Sequence, residues 1–288
     1  MNNSRTDLHI HTRVSDGTAD AITMLKAAQK AGVQQVSITD HDAVGAYRHF
    51  HPDLFGLARS IGLDLISGIE LDTDYLGLEV HLLGYGIDID ASELNEHLTL
   101  TQGRRRERVT RQIEAVNAHF GRIVIDPKQV ILPERDTLMK PHLVHGLLET
   151  GLWGNDYREA QKWLSTTINV GIEVPKLPIN RAIALVHAAG GRAVLAHPGF
   201  LSAEHGLNLE QIFSDLTKFG LDGVEVEYAY AGASKFFPDR CSETAVIENI
   251  RNLANRFSLF CTRGSDAHDP ERLIEFANRS NAVDLNDS

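Results

Sequence analysis

The chain has 288 residues, 42% of them apolar and 23% charged, an ordinary balance for one large globular domain or a barrel with an insertion. A formal net charge of -11 argues against binding duplex DNA, which needs a broad basic surface, but leaves room for a small phosphorylated ligand held by local cations. No apolar run approaches the roughly 18–20 residues that span a bilayer. Met1-Asn2-Asn3-Ser4-Arg5 leads into no apolar leader, and Cys241 and Cys261 have neither metal nor redox spacing. The expectation is a cytoplasmic protein with reduced thiols and no membrane association.

Residues 6–11 read as a first strand in which His9 and His11 alternate with Leu8 and Ile10. The side-chain period of two puts both imidazoles on one face, where they form half of a metal site or, more plainly, two exposed histidines on an edge strand. Ser15-Asp16-Gly17-Thr18 is a turn, Asp20 or Thr18 caps a helix over 21–31, and Gly32 stops it. A second strand, 35–39, ends in Asp40-His41-Asp42; a helical stretch over about 43–61 stops at Gly62. Residues 63–70 form a third strand ending in Glu70, and 78–85, with His81, a fourth.

The pattern then breaks. Residues 91–120 read as one long polar helix containing Arg104-Arg105-Arg106-Glu107-Arg108, followed by a short strand-like piece at Ile123-Val124-Ile125 and short helices to about 170. Alternation resumes with a helix near 179–189 and a strand, 193–196, ending in His197-Pro198-Gly199. A helix near 208–219 leads to a strand at 223–228, and a helix near 242–255 to a strand at 259–261 before Gly264-Ser265-Asp266-Ala267-His268. Strand and helix alternating in this way imply parallel strands. Seven strands with polar tips point to a TIM-like barrel, residues 1–90 and 171–288, with an inserted helical subdomain, 91–170, above its mouth.

The tips gather His9, His11, Asp16, Asp40, His41, Asp42, Glu70, His81, His197, Asp266 and His268. Any one histidine is more often a satisfied or surface residue. Independent placement of six at the same end of successive strands is improbable. Several carboxylates crowded into one pocket repel one another unless cations bridge them.

These stretches resemble, in order, the motifs of the polymerase and histidinol phosphatase (PHP) family: His9-x-His11, Ser15-Asp16-Gly17, Ile38-Thr39-Asp40-His41-Asp42, Gly68-Ile69-Glu70, Val80-His81-Leu82-Leu83-Gly84-Tyr85, Leu195-Ala196-His197-Pro198 and Gly264-Ser265-Asp266-Ala267-His268. An insertion after the fourth strand makes the chain look most like the branch related to RNase AM and to nucleoside 3′,5′-bisphosphate phosphatases. The resemblance implies a distorted (β/α)7 barrel and two or three divalent ions, manganese foremost, with zinc or iron as alternatives. Carried over by position, His9, His11, Glu70 and Asp266 would hold one metal; Glu70 would bridge to a second, with His81 and His197; Asp16, His41 and His268 would hold a third. Many relatives have histidine where this chain has Asp16, an oxygen ligand that makes the third site harder. Glu70, His197 and Asp266 would act through a metal-bound hydroxide in phosphoester hydrolysis, so Ser265 reads as a turn residue and no protein nucleophile is needed.

Arg135, Lys140, His142 and Arg263 are the candidate contacts to a substrate phosphate; relatives often carry arginine-proline-histidine where Lys140-Pro141-His142 stands. Lysine keeps the charge and loses the bidentate fork. For Arg263 an ion pair with Glu225 or Asp266 is an equal expectation. The arginine run on the long helix is read as a solvated face, one or two members of which could line the pocket. The leading function is a phosphatase removing the 3′-phosphate of a nucleoside 3′,5′-bisphosphate. The alternatives are a 5′-to-3′ exoribonuclease on short RNA, a histidinol-phosphate-type phosphatase and a non-catalytic metal-binding module.

Overall fold

The computed structural model describes residues 6–283, and the strands and helices counted below are those of the described residues; the reading of residues 1–5 falls outside them. Eight strands form one sheet: β1 (Thr6–Ile10), β2 (Gln35–Ile38), β3 (Asp64–Tyr75), β4 (Leu78–Tyr85), β5 (Leu177–Pro178), β6 (Arg192–Leu195), β7 (Gly223–Glu227) and β8 (Phe260–Arg263). Their order is β1-β2-β3-β4-β6-β7-β8, with β5 beside the far end of β3. β1 meets β8's end through a parallel bridge between Ile10 and Ala267, where His11 N–H donates to the Ala267 carbonyl at 2.8 Å. The sheet is thus a nearly closed barrel of seven strands.

Twelve helices follow the chain: α1 (Ala21–Lys30), α2 (Ala46–His49), α3 (Leu54–Ser60), α4 (Ser92–Phe120), α5 (Pro127–Val130), α6 (Lys140–Leu148), α7 (Tyr157–Thr167), α8 (Ile179–Ala188), α9 (Gly199–His205), α10 (Leu209–Lys218), α11 (Arg240–Arg256) and α12 (Pro270–Val283). In α1, Asp20 accepts from Thr23 N–H as N-cap, and Ala21, Met24, Leu25 and Ala28 form one buried stripe. Asn208 caps α10 in the same way over Leu209, Ile212, Phe213 and Leu216. These stripes join the outward residues of the strands, Ile10, Ile38, Ile69, Leu71, Leu82, Leu195 and Val224, in one large core. Among the described residues no helix is long and apolar enough to cross a membrane.

Three local expectations are corrected. β4 runs antiparallel to both neighbours. Only Leu76 and Gly77 separate it from β3, both at positive φ (57° and 82°), which makes a tight hairpin and leaves no room for a crossover helix. The helical stretch over 43–61 is two helices, α2 and α3, interrupted around Pro52, which disfavours helical backbone at His51. Ile123-Val124-Ile125 forms no strand, because the amides of Val124 and Ile125 donate to Asn117 Oδ1 at 2.7 and 2.9 Å.

Between β4 and β5, α4 belongs to two cores. Its first turns put Leu94 and Leu98 on the main core. Its later turns put Val109, Ile113 and Val116 into a separate cluster with Leu143, Val144 and Leu147 of α6 and Ala160 and Leu164 of α7. α4 therefore connects the barrel rigidly to the helical layer above it.

Candidate metal centre

β1 delivers His9 and, one residue beyond its end, His11; both are fully buried. Glu70 lies mid-strand in β3, because β3 continues past the barrel mouth to Tyr75, and His81 sits opposite Asp72 on the paired β4. Period two along β3 and β4 turns Glu70, Asp72 and His81 to one face and Ile69, Leu71 and Leu82 to the core. His41 bridges to Glu70 just after β2. His197 and Asp266 follow β6 and β8 with left-handed backbone, φ 28° and 51°, and Asp42 has φ 43°. Non-glycine residues at such angles store strain that the surrounding structure has to hold, and they concentrate at functional sites.

Nε2 of His9 is 3.1 Å from Glu70 Oε2 and 3.5 Å from Asp266 Oδ1; Nε2 of His11 is 3.2 and 2.9 Å from the same two atoms. The other Glu70 oxygen, Oε1, is 2.9 Å from His81 Nδ1 and 3.4 Å from His197 Nε2. One carboxylate thus stands between two groups of donors. On the other side of His11, Asp16 Oδ1 is 3.3 Å from His268 Nε2 and 3.9 Å from His11 Nδ1, and the ring of His41 stacks 4.7 Å from that of His11. Four sets offer ligand atoms within 4.8 Å of one another: His9, His11, Glu70, Asp266; Glu70, His81, His197; His11, Asp16, His41, His268; and His41, Asp72, His81.

The electrostatics match crowded donors. Burial disfavours the charged form of His11, yet the Asp266 and Glu70 carboxylates hold it up at about 10. Burial likewise opposes the charged forms of Glu70 and Asp266, but the histidines facing them keep both well below the usual carboxylate range. Asp16 is held low by His41 and His268 against the same burial. Both ring nitrogens of His11 are buried without an aligned hydrogen-bond partner, although carboxylate oxygens lie within 2.9–3.9 Å of them. At His11 the carboxylate oxygens approach off the N–H directions, and the mixed imidazole and carboxylate donors around it fit divalent cations.

Support for this cluster comes from residues the sequence reading left aside. Glu225 Oε1 is 3.0 Å from His9 Nδ1, and Oε2 accepts from His197 N–H at 2.8 Å. Tyr228 donates to Asp266 Oδ2 at 3.0 Å. Asp72 Oδ1 is 2.9 Å from His41 Nδ1, and Arg105, one of the helix arginines, reaches Asp72 and Asp42. Period two was the available signal: Asp72 shares a strand face with Glu70, and Glu225 lies on a strand leading to the mouth.

The four candidate phosphate contacts fall in different places. Arg135 donates to the Val130 carbonyl at 2.7 Å, and its buried Nε has no hydrogen-bond partner. Burial lowers its pKa, partly offset by Glu134 and then Asp16. Lys140 is exposed on the rim of a cavity of about 420 Å³ that it shares with Asp72, Arg105, Arg108 and Lys176. His142 is buried, with Nδ1 accepting from Met139 N–H at 2.9 Å and Nε2 donating to the Ser15 carbonyl at 2.8 Å. Burial, then the Arg135 charge, pushes its pKa down to about 4. Both ring nitrogens meet backbone groups, which ties the start of α6 to the loop that carries Ser15. Arg263 is 3% exposed, 4.0 Å over the Phe276 ring, with Nε 3.3 Å from Glu227 Oε2 and hydrogen bonds to the Thr6 and Phe276 carbonyls. It ties β8 to the chain's first strand and α12, and its charge acts on Asp7 and Glu227.

The PHP domain matches residues 7–135. Over 284 residues the chain is 26% identical to a 5′-3′ exoribonuclease of Haemophilus influenzae, covering 96% of this chain and 95% of that protein. It is 28% identical to a phosphoribosyl 1,2-cyclic phosphate 1,2-diphosphodiesterase of Eggerthella lenta (91% and 93% covered). It is 24% identical to a 3′,5′-nucleoside bisphosphate phosphatase of Chromobacterium violaceum (92% and 87%). A crystal structure from Bifidobacterium adolescentis, described as a metal-dependent phosphoesterase, superposes with a TM-score of 0.75 at 25% identity, covering 95% of this chain and 96% of that one. The motifs, the barrel and the converging ligand sets agree with these likenesses: residues 7–135 carry a PHP domain, and the chain is similar over nearly its whole length to metal-dependent phosphoesterases.

Proposed function

We propose that the chain is a cytoplasmic phosphatase that removes the 3′-phosphate of nucleoside 3′,5′-bisphosphates, using two or three divalent ions, manganese foremost. His9, His11, Glu70 and Asp266 would hold one ion, Glu70, His81 and His197 a second, and Asp16, His41 and His268, with His11, a third. Such ions supply Lewis acidity to a phosphoryl oxygen and lower the pKa of water. The chain's own groups orient the ligands. Glu225 beside His9 Nδ1 fixes the tautomer that turns a lone pair at Nε2 toward Glu70 and Asp266. Tyr228 holds Asp266 against rotation.

The observation that carries the reading is that cations stand beyond the ligand cluster. Arg135 lies close enough to Asp16 to feel its charge. Arg108 and Lys140 line the cavity beside Asp72 and make no ion pair among the described residues. Segment 91–170 would thus act as a substrate-binding layer, with the 3′-phosphate at the metals and the 5′-phosphate on these cations. The same cations suit the 5′-phosphate of a short RNA, and the Haemophilus relative is named an exoribonuclease, which makes that the second reading.

The test compares substrates. Losing a charge-assisted phosphate contact removes transition-state binding. Arg135→Ala is expected to lower kcat/KM for a 3′,5′-bisphosphate by roughly ten- to hundredfold, about 1.4–2.7 kcal/mol. The loss should be much smaller for a substrate with only the 3′-phosphate. Equal losses would contradict the second-phosphate contact, and faster cleavage of short oligoribonucleotides than of any mononucleotide would favour the exonuclease.

A further inference from the structure

The loop after β2 presents His41 to the cluster, and α4 grips that loop at two points. Gln102 Nε2 donates to the Asp42 carbonyl at 2.8 Å. Arg105, three residues on and on the same helix face, donates from Nη2 to the Asp42 carboxylate and, at 2.8 Å, to Asp72 Oδ2. All three side chains are sequestered: Arg105 is 11% exposed, Asp42 1% and Asp72 5%. The other arginines of the run do something else. Arg104 pairs with Glu107 on the surface, Arg106 donates to the Arg135 carbonyl, and Arg108 lines the cavity.

What Arg105 holds matters because of what Asp72 touches. The second Asp72 oxygen, Oδ1, is 2.9 Å from His41 Nδ1 and 3.8 Å from His81 Nε2. The opposite nitrogens of these rings face Glu70: His41 Nε2 is 3.3 Å from Oε2, and His81 Nδ1 is 2.9 Å from Oε1. Asp72 therefore stands directly behind His41, while Glu79 Oε1 is the nearer acceptor for His81 Nε2, at 3.4 Å; one guanidinium from the helical layer stands behind Asp72.

We propose that Arg105 is a positioning residue: by clamping Asp72 it fixes the ring of His41, so that helix α4 sets how tightly the barrel holds its divalent ions. The inference rests on the assignment of His41 as a metal ligand. Carboxylates that receive a ligand histidine's second N–H set the tautomer and ring orientation, and their loss typically weakens metal binding by about ten- to hundredfold. Both bonds leave one guanidinium nitrogen, Nη2, so a lysine ammonium that reaches the same point can make part of the contact. Without the guanidinium, Asp42 and Asp72 are two buried carboxylates with no cation between them, and Asp72 is free to turn from His41.

The test measures ion binding, not turnover. Mn²⁺ is titrated into the full-length protein, followed by calorimetry and by the loss of the free-ion electron paramagnetic resonance signal. Arg105→Met is expected to keep the barrel's circular dichroism and to weaken Mn²⁺ binding at least about tenfold. Arg105→Lys should recover part of the loss, and Arg104→Ala none of it should touch, since Arg104 lies on the surface. Asp72→Asn, which keeps the side chain's shape, should weaken binding in the same direction and serves if Arg105→Met does not fold. Unsubstituted affinity in folded Arg105→Met, or in Asp72→Asn, with only a lower melting temperature would make the contact a structural latch and overturn the proposal. No divalent-ion binding by the unsubstituted protein would overturn the ligand assignment itself, and this inference with it.

Discussion

The inner and outer parts of the ligand cluster are built differently. The inner part, His9, His11, Glu70 and Asp266, stands on or next to barrel strands and is braced by other strand-borne groups, Glu225 and Tyr228. The side chains of His9, His11 and Glu70 are at most 1% exposed. The outer part, Asp16, His41 and His268, is carried by loops; His268 has a side chain 35% exposed, and the brace behind His41 runs through Asp72 to α4. Barrel strands place His9, His11 and Glu70, and Asp266 follows three residues after β8. The outer donors depend on loops and on a helix from another layer. Ions at the inner set are therefore expected to be bound more tightly than ions at the outer one.

The largest effect should come from the residue that two ligand sets share, Glu70. Glu70→Gln keeps the volume and loses the charge that faces five histidines. A divalent ion supplies several kcal/mol of transition-state stabilisation, so kcat is expected to fall roughly 10³-fold, at about 1.4 kcal/mol per tenfold. Metal analysis should show fewer ions per chain. Wild-type metal content and turnover in that variant would remove Glu70 from its central place.

Stepwise chelation tests the comparison directly. As chelator rises, the first ion lost should be the outer one, and Asp16→Ala should remove that step while leaving the tighter ions in place. The affinity of the weakest ion is expected to drop by roughly tenfold or more in this variant. Loss of all ions in one step, with the same midpoint in Asp16→Ala, would mean that the two sets act as one.

The same contrast marks what could be read from the residues alone. His9 and His11 alternate with apolar neighbours, so their shared face followed from strand geometry, and the order of strand tips led to the barrel. Donors that arrive by strand register are legible because period two is local. The antiparallel β4 was legible in principle from the two residues before it, but the surrounding strand-helix alternation outweighed so short a turn. Arg105 was not separable from its neighbours: which arginine of a run faces a buried carboxylate depends on how a helix is rolled onto another layer. His142 is a candidate phosphate contact through the resemblance of Lys140-Pro141-His142 to an arginine-proline-histidine motif, and Arg263 through its place at a strand tip, with an ion pair as an equal expectation. Their partners, the Ser15 carbonyl and Glu227, are fixed by long-range packing that no local pattern records.

His142 gives the smallest of the expected effects. Its folded pKa, about 4, lies below the ordinary value near 6.5, so the neutral ring is the form that fits. Between these values the unfolded chain binds more protons than the folded one, and stability falls as pH drops. The contribution is fully present above about pH 6.5, is lost progressively toward pH 4, and amounts to about 3 kcal/mol at most. Other groups titrate in the same window, so the useful quantity is a difference between proteins. His142→Gln can still meet one of the two backbone groups and does not acquire a charge. At pH 7 it should be less stable by about 1–3 kcal/mol, the cost of leaving a buried polar group unpaired. At pH 5 the gap should narrow, because only the wild type takes up a proton there on unfolding. Urea midpoints at the two pH values measure this. A gap that stays constant would show that His142 does not change protonation on folding, and its place between Met139 and Ser15 would then be a matter of packing alone.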